Sequence, residues 1–107
     1  MIEKFPHKIK YNSKISYTVS FVPKFDDPTQ VGACDPNTKE IKIMAGMTDE
    51  KTVSTAFHES IHQINFEELD LCLVERQVEI LEIELVKLFR RNPKFFDLFI
   101  DLVRKKL

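Results

Sequence analysis

The hydrophobic period of this chain changes once, after Gly46, and that change constrains its fold more than any other feature. Before it, apolar and polar residues alternate. From Lys14 to Val22, Ile15, Tyr17, Val19 and Phe21 are interleaved with Ser16, Thr18 and Ser20, the period of two expected of a half-buried strand. Pro23 ends that run. Gln30 to Cys34 reads as a second short strand, Asp35-Pro36-Asn37-Thr38 as a turn and Glu40 to Met44 as a third strand, which makes residues 30–44 a predicted hairpin.

After Gly46 the spacing becomes helical. Thr48-Asp49-Glu50 supplies a hydroxyl N-cap and two acids for a first turn, where the helix dipole favours negative charge. Val53, Ala56, Phe57, Ile61 and Ile64 follow as an apolar stripe, with Thr55, His58, His62 and Asn65 on the stripe beside it. A second helix is expected from about Asp70 to Arg90, its core-facing stripe being Leu71, Val74, Val78, Leu81, Leu85 and Leu88. Asn92-Pro93 then reads as the N-cap and first position of a third, short helix presenting Phe96, Phe99, Ile100 and Val103. The predicted class is α+β, a small antiparallel sheet of about three strands packed against these helices.

Length and composition narrow the function. A chain of 107 residues, 43% hydrophobic with nine Phe, is expected to form one domain over residues 1–107 with a core of its own. A net charge of −1 gives no electrostatic case for nucleic acid or an anionic membrane. Cys34 and Cys72 stand far apart and outside any CxxC spacing, as expected of plain reduced thiols. Met1 to Lys8 holds no apolar segment of the signal-peptide kind, and no run is long enough to span a bilayer. These features lead to the expectation of a soluble, intracellular protein of the cytoplasm.

His58-Glu59-Ser60-Ile61-His62 carries the chemistry. On a helix, residues four apart differ by about 40° in direction and about 6 Å in height, so both imidazoles can reach one metal ion. Zinc suits imidazole and carboxylate donors and tolerates an open fourth position, and Glu59 is placed to face a metal-bound water. A third protein ligand is normal, and His7, the aspartates and the glutamates of the second helix are available. In one unbroken helix Glu75 would lie about 20 Å beyond His62. The polar segment Asn65, Glu67, Glu68 and Asp70 is where a break is expected, with the chain turning back around residues 67–70. Counting outward from that turn sets His62 level with Glu75, His58 level with Glu79, and Glu82 almost a turn further on.

HExxH after a strand hairpin, followed by a helix carrying a glutamate and another acid four residues later, resembles the gluzincin type of zinc metallopeptidase. Over roughly residues 30–85 the chain is similar to minimal single-domain members from phages and bacteria, akin to the IrrE/ImmA-like and SprT-like families. The resemblance implies a minimal zincin-like fold and a Zn2+ cofactor. It implies His58, His62 and Glu75 as metal ligands, Glu59 as the catalytic base on a zinc-bound water, and Glu79 as a supporting acid beside a histidine. It further implies hydrolysis of an intracellular protein or peptide substrate held along an edge strand of the 30–44 hairpin. Tyr11, Tyr17, His7 and Arg76 are all available to stabilise the oxyanion. The alternatives are a zinc-binding interaction module that keeps the fold without catalysis, or a metal-free helical adaptor in which the motif is accidental.

Overall fold

The computed structural model describes residues 5–68 and 71–106. It is an α+β fold of four strands followed by three helices. The strands are β1 (Lys8–Lys10), β2 (Ser16–Val22), β3 (Gly32–Asp35) and β4 (Glu40–Met44), and they form one sheet in the order β1-β2-β4-β3.

Both longer strands follow the alternation in the sequence. Tyr17 and Val19 are buried and Thr18 is exposed, as Ile41 and Ile43 are buried and Lys42 exposed. The sheet differs from the expected three antiparallel strands in two ways. β1 adds a fourth strand, antiparallel to β2 with Ile9 opposite Tyr17. Its three residues contain one apolar side chain, too few to show a period. The 30–44 hairpin forms as expected, with Cys34 opposite Ile41. It is inserted so that β4 lies next to β2 and runs parallel to it, pairing Val19 with Ile41 and Phe21 with Ile43. The sheet is therefore mixed. Strand periodicity is two in either orientation, so the pattern alone does not encode this pairing. As a result β3 stands at one edge of the sheet.

Gly46 links β4 to the first helix at φ 82, a left-handed backbone that side chains strongly disfavour. Helix α1 (Asp49–Glu67) then begins at the expected cap, with the Thr48 side chain accepting a hydrogen bond from the Lys51 N–H at 3.2 Å. α1 packs across β3 and β4. Its buried face is rotated from the predicted apolar stripe. Ala56 and Ile61 are buried, but so are Thr52, Thr55, Glu59 and Gln63, whereas Val53 and Ile64 are about half exposed. Gln63 is satisfied there, its Nε2 donating to the Ile9 carbonyl at 2.8 Å. The core proper is Tyr17, Val19, Ile41, Ile43 and Ala56, flanked by Phe5, Ile9, Ile15, Phe21, Cys34 and Met47.

α1 ends at Glu67, and α2 runs from Glu75 to Arg91, later than the expected start near Asp70. Leu69 and Asp70, where part of the expected turn falls, lie outside the described residues. Residues 71–74 are non-helical, so Leu71 precedes α2 and Val74 serves only as its N-cap. Of the predicted α2 stripe, Val78 is fully buried, while Val74, Leu81 and Leu88 are exposed. α2 packs against α1 along the side that carries the histidines.

Asn92 stands at the expected N-cap position before Pro93, but its side chain serves the helix that precedes it. Its side-chain Nδ2 donates back to the Leu88 carbonyl at 2.9 Å, closing α2, while its backbone carbonyl accepts from Phe96 to start α3 (Pro93–Lys106). α3 rests on α2 through Phe89 and Phe96, whose ring centroids are 4.4 Å apart. Among the described residues, no helix is long and apolar enough to cross a membrane.

Candidate metal centre

His58 and His62 project from one face of α1, one turn apart, with ring centroids separated by 4.9 Å. Glu75 comes from the first position of α2, directly opposite them. One carboxylate reaches both rings. Its Oε1 lies 2.9 Å from Nε2 of His58 and its Oε2 lies 2.8 Å from Nε2 of His62. One ligand atom from each residue falls within 4.8 Å of the other two, and this group could hold a metal ion. The donor chemistry fits zinc, for two imidazoles and one carboxylate leave a fourth position open.

Glu75 reaches this place because of how the chain turns. The Asn65 side chain donates from Nδ2 to the Leu73 carbonyl at 2.8 Å and accepts from the Leu73 N–H at 2.9 Å. The next residue, Val74, has its N–H accepted by the Gln77 side chain, and α2 opens at Glu75. A carboxylate in the first helical turn is also favoured by the dipole.

The other two glutamates are placed differently from each other. Glu79 lines the same cavity, with its carboxylate 3.5 Å from the Arg76 guanidinium. Glu82, about two turns below Glu75 on nearly the same side of α2, lies 3.9 Å from Nδ1 of His58. At that distance it is near the ring without a hydrogen bond to it, and it is closer to the place beside a histidine that the resemblance assigns to Glu79 than Glu79 itself, which pairs with Arg76.

Glu59 points from α1 toward the edge strand and is only 6% exposed. Burial, reinforced by the Glu75 charge and partly offset by His58, pushes its carboxyl up to about 7. Burial likewise lowers the pKa of His62 against the pull of Glu75, which favours the neutral imidazole that metals require. Between β3, α1 and α2 lies a cavity of about 590 Å³, with Gln30 to Cys34 along one wall and His58, Glu59, His62 and Glu75 on the other.

Gly32 is a residue that the sequence reading missed. A Cβ at that position would stand 2.8 Å from Oε2 of Glu59 and 2.6 Å from the Thr55 methyl, so only glycine lets β3 approach this closely. The chain has just two glycines, and one inside a strand is a known sign of close approach. Cys34, on the same wall, is half-buried, and burial beside Glu59 raises its thiol to about 12, leaving it protonated and inert.

None of the four oxyanion candidates lines this cavity. Tyr17 is fully buried and donates to Oε2 of Glu67 at 2.6 Å, Tyr11 donates to Glu68 at 3.2 Å, Arg76 pairs with Glu79, and His7 is exposed. Lys51, Ser54 and Thr55 are the side chains that line the α1 wall above the histidines. No family model, curated protein or solved structure matches this chain.

Proposed function

We propose that this chain is a zinc-dependent endopeptidase of minimal zincin-like architecture. His58, His62 and Glu75 would hold the metal, and Glu59 would act as general base. The observation that carries the reading is the single Glu75 carboxylate in contact with both imidazoles of the HExxH turn. Zinc in such a site supplies Lewis acidity toward a scissile carbonyl and makes a coordinated water acidic near neutral pH.

The residues of the chain do the rest. The Glu59 carboxylate, at the cavity wall, accepts the proton that the attacking water loses as the new C–O bond forms. It then returns that proton to the leaving nitrogen as the C–N bond breaks. Held near neutrality by burial, it can serve in both directions. An extended peptide would lie along β3, the edge strand that forms the facing wall. The substrate is a protein or peptide, and the two unpaired cysteines fit a reducing compartment such as the cytoplasm.

A second reading, a zinc-binding interaction module without catalysis, draws on a separate groove of about 890 Å³ between the three helices. Phe57, Val86, Phe89 and Phe96 line it. Glu59 separates the two readings, because burying a carboxylate costs stability that a binding protein has no reason to spend. The test is zinc content and peptide cleavage of the wild type against Glu59→Gln. The enzyme reading expects one zinc in each and cleavage only in the wild type; a zinc-loaded wild type that cleaves no peptide would favour the module.

A further inference from the structure

We infer that Asn65 is a positioning residue for the metal centre, acting through the Leu73 backbone to set Glu75 against the two histidines. The inference rests on the reading of His58, His62 and Glu75 as a metal site.

Asn65 is seven residues beyond His58 and three beyond His62. It therefore lies within about 20° of the His58 direction and about 10 Å further along the same face of α1. At that level the chain has left the helix and is returning. Its amide meets Leu73 with both of its functions, donating to the carbonyl at 2.8 Å and accepting from the N–H at 2.9 Å. Few side chains can do this. The pairing needs a donor and an acceptor in one rigid plane, which among side chains of this length only asparagine offers.

The clamp matters because of what lies next to it. From Leu73 to Glu75 is two residues, at most about 7 Å of chain, so fixing Leu73 leaves the ligand little room to wander. The sequence of this segment supplies no helix-breaking residue to enforce reversal. Residues 67–75 contain neither glycine nor proline, and continued helix would carry Glu75 about 20 Å away from His62. α1 itself ends in extended backbone at Glu68, with φ −92 and ψ 110. The face of α1 that presents the imidazoles thus also holds the strand of chain that delivers their carboxylate. Glu75 is largely exposed, with 59% of its side chain open to solvent, so packing does not hold it in place.

The test is a double-mutant cycle on Zn2+ affinity, measured by competition with a chelating indicator, in wild type, Asn65→Ala, Glu75→Ala and the double variant. Asn65→Ala is expected to weaken zinc about 10-fold, the low end of what removing a supporting group costs a metal site. In the Glu75→Ala background the same change is expected to cost nothing further. Cobalt(II) in place of zinc adds a spectroscopic readout, the visible bands of Asn65→Ala shifting toward those of Glu75→Ala. If Asn65→Ala does not fold, Asn65→Asp, which keeps the shape and the acceptor, takes its place in the cycle. Zinc affinity equal to wild type in the Asn65 variant overturns the inference and leaves the metal site standing. An equal loss in both backgrounds also overturns it, by making the role of Asn65 general to the fold. A wild-type protein that binds no zinc overturns the metal reading and this inference with it.

Discussion

Gly32 and Glu59 touch across the cavity so closely that a methyl group on residue 32 would lie 2.8 Å from the Glu59 carboxylate. The edge strand and the proposed base are thus fitted to each other, and the fit depends on the absence of a side chain. Gly32→Ala should push Glu59 from its place while leaving His58, His62 and Glu75 untouched. The expected result is a fall in kcat of roughly 100-fold, the scale of a misplacement of about 1 Å, with zinc content unchanged. Overpacking is expected to cost about 1–3 kcal/mol as well, so denaturant unfolding should accompany the kinetics.

The three glutamates of α2 should separate by function. Glu75→Ala removes a carboxylate in contact with both imidazoles and should weaken zinc binding most, by well over about 100-fold. Glu82→Ala removes the acid near Nδ1 of His58 and should weaken it about 10-fold. Glu79→Ala, whose carboxylate pairs with Arg76 at the surface, should leave zinc affinity within about twofold. Titration calorimetry on the three variants orders them. A larger loss from Glu79→Ala than from Glu82→Ala would reverse the assignment.

Burial of Glu59 makes the stability of the metal-free protein depend on pH. Its carboxyl is raised from 4.5 to about 7 in the folded state, so between those values the folded protein binds more protons than the unfolded chain. Stability contributed by this group is therefore full below pH 4.5 and declines as pH rises toward 7. Glu59→Gln, which cannot ionise, should abolish that decline. It is expected to stabilise the metal-free protein at pH 8 by about 3 kcal/mol, at about 1.4 kcal/mol for each pH unit between 4.5 and 7, and to change little at pH 4.5. Thermal unfolding at both pH values, with chelator present, gives the comparison; a variant no more stable than wild type at pH 8 would count against an ionised, buried Glu59.

Tyr17 is fully buried, and its hydroxyl donates to Glu67, which also pairs with Lys39 at 2.8 Å. Tyr17→Phe keeps the ring in the core but leaves Glu67 short of one donor. A loss of about 1–2 kcal/mol is expected, seen as a lower Tm of about 4–8 °C per kcal/mol, with peptide cleavage otherwise normal. Loss of cleavage without loss of stability would instead give this tyrosine a role in the chemistry.

Much of the fold was legible before any coordinates. The alternation across residues 14–22 and 40–44 reports which strand faces are buried, because side chains on successive strand residues point opposite ways. Thr48 marked the start of α1 because a hydroxyl there satisfies an N–H that the helix cannot. The HExxH turn fixed its own geometry, since four residues of helix bring His58 and His62 together whatever surrounds them.

Tertiary structure alone decided what meets these local elements. Strand orientation leaves no trace in a period of two, so the parallel pairing of β2 with β4 and the edge position of β3 emerged only from the assembled sheet. The face of α1 that packs on that sheet carries Thr52, Thr55, Glu59 and Gln63 beside Ala56 and Ile61, and the partner that satisfies Gln63, the Ile9 carbonyl, comes from β1. Above all, the approach of Glu75 to the histidines is a matter of how α1 and α2 are joined. Local sequence sets directions along one helix, whereas contacts between helices depend on where the intervening chain is held, here by the Asn65 amide at Leu73 and the Gln77 side chain at Val74.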